Sequence, residues 1–202
     1  ILREAGVRTA RKGEKADICV SSYTKVDDNN NEIITQSSYS RYIYSGKKFL
    51  EELYTPKMKG VEFVTWGKLY NIRFFRNTGV VFPKGKLHED TFTTYKIVYQ
   101  ASKVVFTTFE GYYYRIRENS IMTEAFNLRH LDLLEATEES CNFFFKCEEM
   151  LLYDMAVNDH IRCCFRIYLE IVKEFGENCI ITSTFRKQYF DNALALMKKT
   201  DM

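Results

Sequence analysis

His88-Glu89-Asp90-Thr91-Phe92-Thr93-Thr94-Tyr95-Lys96-Ile97-Val98-Tyr99-Gln100-Ala101, followed by Lys103-Val104-Val105-Phe106-Thr107-Thr108, decides the fold class. In the first stretch Phe92, Tyr95 and Tyr99 can share one face of a helix running from about His88 to about Ala101. Glu89 and Asp90 occupy its first turn, where the positive end of the helix dipole favours anions. Lys103–Thr108 is a short β-branched run and reads as a strand. A helix that feeds straight into a strand points to an α/β fold.

Working outward, Tyr112–Ile116 reads as a second strand set off by Glu110-Gly111, and Ala16-Asp-Ile-Cys-Val-Ser-Ser-Tyr23 as a buried strand. Asp27-Asp-Asn-Asn-Asn31 is a turn, and Glu32–Tyr44, rich in Ile, Thr and Tyr, suits an extended segment. Ser45 is a candidate cap for a short helix over 45–53 that ends before Pro56. Residues 60–70 are apolar and aromatic, and 71–82 reads as an irregular loop. Residues 1–15 are basic and fit the remnant of an amphipathic helix. The chain opens on Ile1 rather than Met and is expected to be a fragment.

From Asn127 onward glycine and proline almost vanish and apolar residues recur at helical spacing. Three helices are expected, over about 127–156, 159–175 and 183–199, with Gly176-Glu-Asn178 as a stop signal. The expected layout is a partial mixed sheet with flanking helices over 1–125, then an all-helical extension over 126–202.

A chain of 202 residues with 46% hydrophobic content can bury a sizeable core. A formal charge of +2 is too balanced for a nucleic-acid binder to be argued from bulk electrostatics. The six cysteines show no C-x-x-C spacing and read as reduced core thiols. No signal peptide or long apolar run is visible, so a cytoplasmic location is expected. Phe143-Phe-Phe145 is expected to pack into the core, with an exposed apolar patch for a partner or membrane surface as the alternative.

Glu89 and Asp90 are the first candidates for chemistry. Adjacent helical side chains diverge by about 100°, so one acid can deprotonate a nucleophile while its neighbour accepts hydrogen bonds. The same pair equally suits a helix start with no chemistry. Arg115 and Arg117 would share one face of a strand, and with Ser120 they suit phosphate oxygens; solvated or salt-bridged arginines are the alternative. Trp66, the single Trp of the chain, can stack on a sugar ring while Gly67 admits a ligand to the backbone, or it can serve as core. Lys68 and Tyr70 complete that set. His88 can lend a metal ligand or a hydrogen bond to the acids, whereas His130 and His160 are expected at the surface of the helical tail. No zinc spacing, glycine-rich phosphate loop, Rossmann fingerprint or G-x-S-x-G occurs.

Taken in order, Ala16–Tyr23, Trp66-Gly-Lys-Leu-Tyr70, Phe82-Pro-Lys-Gly-Lys-Leu-His-Glu-Asp90 and Tyr112-Tyr-Tyr-Arg-Ile-Arg-Glu-Asn-Ser-Ile121 resemble the family 2 glycosyltransferases of bacterial cell-surface polysaccharide synthesis, which have the GT-A fold. The resemblance covers about residues 1–125. It implies inverting transfer from a nucleotide-sugar to a hydroxyl acceptor. Asp90 falls on the family's catalytic base, with Glu89 helping to hold the acceptor. Arg117 and Ser120, and more weakly Arg115, fall on contacts to the donor diphosphate, and Trp66 borders the acceptor or sugar pocket.

The resemblance also implies Mg²⁺ or Mn²⁺, held largely by residues outside this chain. The family's nucleotide-binding half and its D-x-D motif have no counterpart before Ala16, and Asp27-Asp28 lies beyond the place where that motif belongs. The chain therefore reads as an acceptor-side half that is not expected to complete the reaction by itself. The alternative is a non-catalytic binding or assembly module derived from the same fold, with the helical tail as a surface for oligomerisation.

Overall fold

The computed structural model describes residues 15–26, 39–55, 63–116 and 126–201. The chain is α/β, and it divides into two compact units. One comprises residues 1–81 with 93–123, the other residues 82–92 with 124–202.

The first unit is built on a four-stranded mixed sheet of order β2-β4-β1-β3. Strand β1 (Ile18–Val26) runs parallel to β4 (Val104–Arg115) and antiparallel to β3 (Lys68–Tyr70), while β2 (Arg41–Tyr44) pairs antiparallel with β4. Ile18, Val20 and Val26 of β1 and Val104, Val105 and Phe106 of β4 are buried, as expected for central strands. Asp17 fixes where both begin. Its carboxylate accepts from the N–H groups of Ser102 (2.8 Å) and Lys103 (3.1 Å), and its own N–H donates to the Lys103 carbonyl at 3.0 Å.

Helix α1 (Gly46–Tyr54) starts where the Ser45 hydroxyl accepts from the Lys48 N–H at 3.2 Å, and it buries Phe49 and Leu50. Gly46 is dictated by contact. A Cβ there would stand 1.9 Å from the Val98 carbonyl oxygen and 2.7 Å from that of Ala101, to which the Gly46 N–H donates at 2.9 Å. Helix α2 (Ile72–Asn77) is short, and helix α3 (Glu89–Tyr99) buries Phe92, Thr93, Thr94, Tyr95, Ile97 and Val98.

The second unit is helical. A 3-10 turn (Leu128–Leu131) leads into α4 (Asp132–Lys146), followed by α5 (Met150–Phe175) and α6 (Ile180–Phe185). A π turn (Arg186–Phe190) then joins α7 (Asp191–Met197), which ends in a 3-10 turn (Lys198–Asp201). Leu133, Leu134, Cys164, Ile167, Ile171 and Phe185 form its core. The Tyr153 hydroxyl ties α5 to α7 by donating to the Leu196 carbonyl at 2.6 Å. No helix among the described residues is long and apolar enough to cross a membrane.

Several expectations need correction. The stretch 71–82 is not all loop, because the Asn71 side chain accepts from the N–H groups of Arg73 (3.0 Å) and Phe74 (3.4 Å) and caps α2. Lys103–Thr108 and Tyr112–Ile116 are not two strands. They belong to one β4 that bulges, so that Thr107 to Tyr112 span the same stretch as Ser21 to Tyr23 of β1.

The first long helix breaks at 147–149 rather than near Asn158, because Glu148 takes a left-handed φ of 58°. Asn158 instead donates to the Asp154 carbonyl at 2.9 Å within a continuous α5. The last helical run begins at Ile180 rather than 183. His130 and His160 are buried rather than at the surface. Core packing within Phe143-Phe-Phe145 holds as expected, with Phe144 fully buried and Phe145 against Tyr153, ring centroids 5.3 Å apart. The cysteines are all unpaired thiols. The expected basic helix, the turn at 27–31 and the extended stretch 32–38 lie outside the described residues.

Candidate functional site

The loop before α3 makes two uncommon backbone turns in quick succession. Gly85 has φ +81°, a value that glycine tolerates, and His88 has φ +57°, which it does not share with other described non-glycine residues except Glu148. The His88 carbonyl then accepts from the Thr91 N–H at 2.9 Å and the Phe92 N–H at 3.4 Å, starting the helix. Asp90 is half-buried in the first turn, and one of its carboxylate oxygens accepts from the Thr91 N–H at 2.9 Å. Glu89, beside it, is exposed.

Burial raises the Asp90 carboxyl above the ordinary range, with the neighbouring Glu89 adding to the effect and the Thr91 N–H and His88 opposing it. Burial likewise lowers His88, helped by the positive Arg166 and by His130 and opposed by Asp90 and Glu89. His88 is therefore neutral at pH 7, and the basicity of the Asp90 carboxylate is raised. That combination suits a general base.

Residues from the helical segment surround this turn, and of these the sequence had singled out His130 alone, as a surface residue. Lys86 forms ion pairs with Asp132 (3.0 Å) and Glu135 (2.5 Å), and the Leu87 N–H donates to Asp132 at 2.9 Å. His130 lies 3.3 Å from the Glu170 carboxylate and 3.3 Å from the Asn127 amide, and Arg166 reaches the other Glu170 oxygen at 3.9 Å. Asp132 and Glu135 stand one turn apart on one helix face, the single local hint that they act together.

The other sequence candidates fall in the sheet unit. Trp66 stacks on Tyr112 (4.8 Å between centroids, 20° between planes) and Tyr114 (5.1 Å, 28°), with Tyr23 edge-on at 4.9 Å. Tyr112 and Tyr114 line one face of β4, so the bulge hands the indole a continuous aromatic surface. Tyr112 remains 37% exposed, enough to present a ring face to a ligand.

Gly67 has φ +67°, and its carbonyl is taken by the Ser21 N–H (2.9 Å) and hydroxyl (3.2 Å), so its backbone is bound to β1. Thr24 donates to the Glu110 carboxylate beneath this surface. Lys68 donates to the Val64 carbonyl at 2.6 Å. Arg115 is exposed at the end of β4, on the face opposite Tyr112 and Tyr114. Arg117 and Ser120 lie outside the described residues.

Among the described residues no three histidine, cysteine or carboxylate side chains converge where an ion could be held. His88 and Asp90 alone do not make a cation site, so no step of chemistry is assigned through Mg²⁺ or Mn²⁺.

No known protein-family model matches the chain. One curated protein does: over 112 residues, 53% of this chain, it is 33% identical to Glycosyltransferase GlyA of Streptococcus pneumoniae serotype 4. The match spans only 16% of that protein's length, so the similarity joins a part of this chain to a part of a much longer one.

Proposed function

We propose that the chain carries the acceptor side of a glycosyltransferase, with Asp90 as the base. The observation that carries this reading is the half-buried Asp90, held in the first turn of α3 with its basicity raised by burial. The similarity to a bacterial protein named as a glycosyltransferase supports the reaction class. The ordered segments that resemble family 2 enzymes support the GT-A fold, a cell-surface polysaccharide context and a site at the cytoplasmic face.

The reaction is direct displacement with inversion. The Asp90 carboxylate takes the proton of an acceptor hydroxyl as its oxygen bonds to the anomeric carbon of a nucleotide-sugar. The bond from that carbon to the diphosphate breaks, and the nucleoside diphosphate leaves with the electron pair. Trp66, Tyr112 and Tyr114 present ring faces of the kind that sugars stack on. Arg117 and Ser120, by resemblance, meet the diphosphate. Any divalent cation, Mg²⁺ or Mn²⁺, is held largely by groups outside this chain.

The test is Asp90→Asn in the protein that contains this chain, assayed by UDP release from a panel of UDP-sugars with saccharide acceptors and Mn²⁺. Loss of a general base lowers turnover by about 10²–10⁴-fold. Unchanged UDP release would remove Asp90 from the mechanism. Saturable UDP-sugar binding with no release by the unaltered protein would instead favour a binding module.

A further inference from the structure

We infer that Asp132 is a positioning residue for the Glu89-Asp90 pair, acting through the Lys86-Leu87 segment that leads into it; this rests on the reading of Asp90 as the base. Asp132 is the first residue of α4, and the cap position before it, Leu131, makes no side-chain hydrogen bond to the helix. Its carboxylate is turned instead to the loop. One oxygen pairs with the Lys86 ammonium at 3.0 Å and the other accepts from the Leu87 N–H at 2.9 Å. Glu135, one turn further on, holds the same ammonium at 2.5 Å.

The place of this grip in the chain gives it its consequence. Leu87 is buried at 8% exposure, so both its side chain and its N–H are fixed. The next residue, His88, is left-handed, a conformation that disfavours a side chain and persists only where its surroundings over-determine it. The His88 carbonyl in turn starts α3, and Asp90 is two residues on. Releasing the Leu87 N–H therefore frees the one strained joint that sets where the carboxylate of Asp90 stands.

The electrostatics agree with this geometry. Burial works to raise the Asp132 carboxyl, but the Leu87 N–H and the Lys86 ammonium together hold it below the usual range. The grip is thus ionised throughout neutral pH, and hydrogen bonds to a carboxylate are about twice as strong as neutral ones. Glu135 contacts the Lys86 cation. Asp132 alone contacts both the cation and the backbone.

The test uses the 202-residue chain with Asp132→Ala and Asp132→Asn, followed by NMR. Three quantities are read: amide exchange at Leu87, the carboxyl titration of Asp90, and amide exchange within α5 as a control on the fold. The groups that Asp90 and His88 sense (Glu89, Arg166 and His130) are left in place.

In Asp132→Ala, Leu87 exchange rises about tenfold or more, the Asp90 midpoint falls toward the ordinary carboxylate value, and α5 stays protected. Asp132→Asn keeps an oxygen for the Leu87 N–H and restores most of both. An Asp90 midpoint that does not move while Leu87 loses protection overturns the proposal. So does an Asn variant no better than Ala. Should the Ala variant fail to fold, Asp132→Leu, which keeps bulk but offers the Leu87 N–H no acceptor, takes its place: faster Leu87 exchange with a lowered Asp90 midpoint supports the grip, and no change in either refutes it. UDP release by Asp90→Asn bears on the base alone, and this titration on the grip alone.

Discussion

Replacing Gly46 with alanine sets helix propensity against packing, and the two predict opposite signs. Propensity alone makes alanine better by up to about 1 kcal/mol, and less at the first position of a helix. Packing gives the reverse. The added Cβ would stand 1.9 Å from the Val98 carbonyl oxygen and 2.7 Å from that of Ala101, both backbone atoms that cannot rotate away. Ordinary contact requires the start of α1 to retreat by roughly 1.5 Å or more, which breaks the 2.9 Å bond from the Gly46 N–H to Ala101.

Overpacking of this kind costs about 1–3 kcal/mol, and the lost bond adds about 0.5–1.5 kcal/mol. Less the propensity gain, the variant is destabilised by about 1–4 kcal/mol. Trp66 belongs to the same unit as Gly46 and is the single Trp of the chain, so its fluorescence in a urea titration reports the unfolding that matters. The expected result is a lower midpoint at unchanged slope. A midpoint equal to or above that of the unaltered chain refutes the packing argument and leaves propensity in charge.

Two further predictions concern the helical unit, beside those made above for Asp90 and Asp132. His160 is fully buried, and burial lowers its pKa to about 4. Its Nδ1 lies 2.7 Å from the Thr137 hydroxyl, which itself reaches the Leu133 carbonyl at 3.0 Å, and its Nε2 faces the Cys164 thiol at 3.5 Å. Between pH 6.5 and 4 the unfolded chain binds this proton and the folded chain does not. Stability is thus complete above about pH 6.5 and falls as pH drops toward 4, by up to about 3 kcal/mol from this residue. Urea midpoints at pH 7.5 and 5 should show that slope in the unaltered chain and much less of it in His160→Gln; equal slopes sink the assignment.

Burial also pushes the thiols of Cys141, Cys163 and Cys164 up to about 12. Iodoacetamide at pH 8 should leave all three unmodified by peptide mass spectrometry until urea unfolds the chain, since the thiolate is the nucleophile. Rapid labelling in the native protein contradicts the full burial of Cys141 and Cys164, or the partial burial of Cys163.

What could be read from the sequence was what local rules encode. Ser45 announces α1 because a cap needs only its own first turn, and His88–Ala101 announces α3 because acids at the start and aromatics at helical spacing act over a few residues. Asn71 carried the same kind of signal, but the apolar residues after it masked it as loop. The break after α4 had no signal of that kind. Glu148 takes the left-handed conformation that glycine usually supplies, while Asn158, which resembles a stop, sits inside a continuous helix.

The candidate site divides along the same line. His88-Glu89-Asp90 stands out in the sequence because its elements are adjacent, and so do the residues that place it at a helix start. What holds it does not stand out. Lys86 and Asp132 meet across 46 residues, and His160 meets Thr137 across 23, with no pattern in either segment naming the other. Long-range polar pairs of this kind obey chain topology rather than local periodicity. For a carboxylate proposed as a base, that distinction has a chemical consequence. Residue type and helix position say that Asp90 can accept a proton, but burial and the grip on Leu87 determine its basicity and where it points. Substituting Asp132 tests the second property while leaving every atom of the first in place.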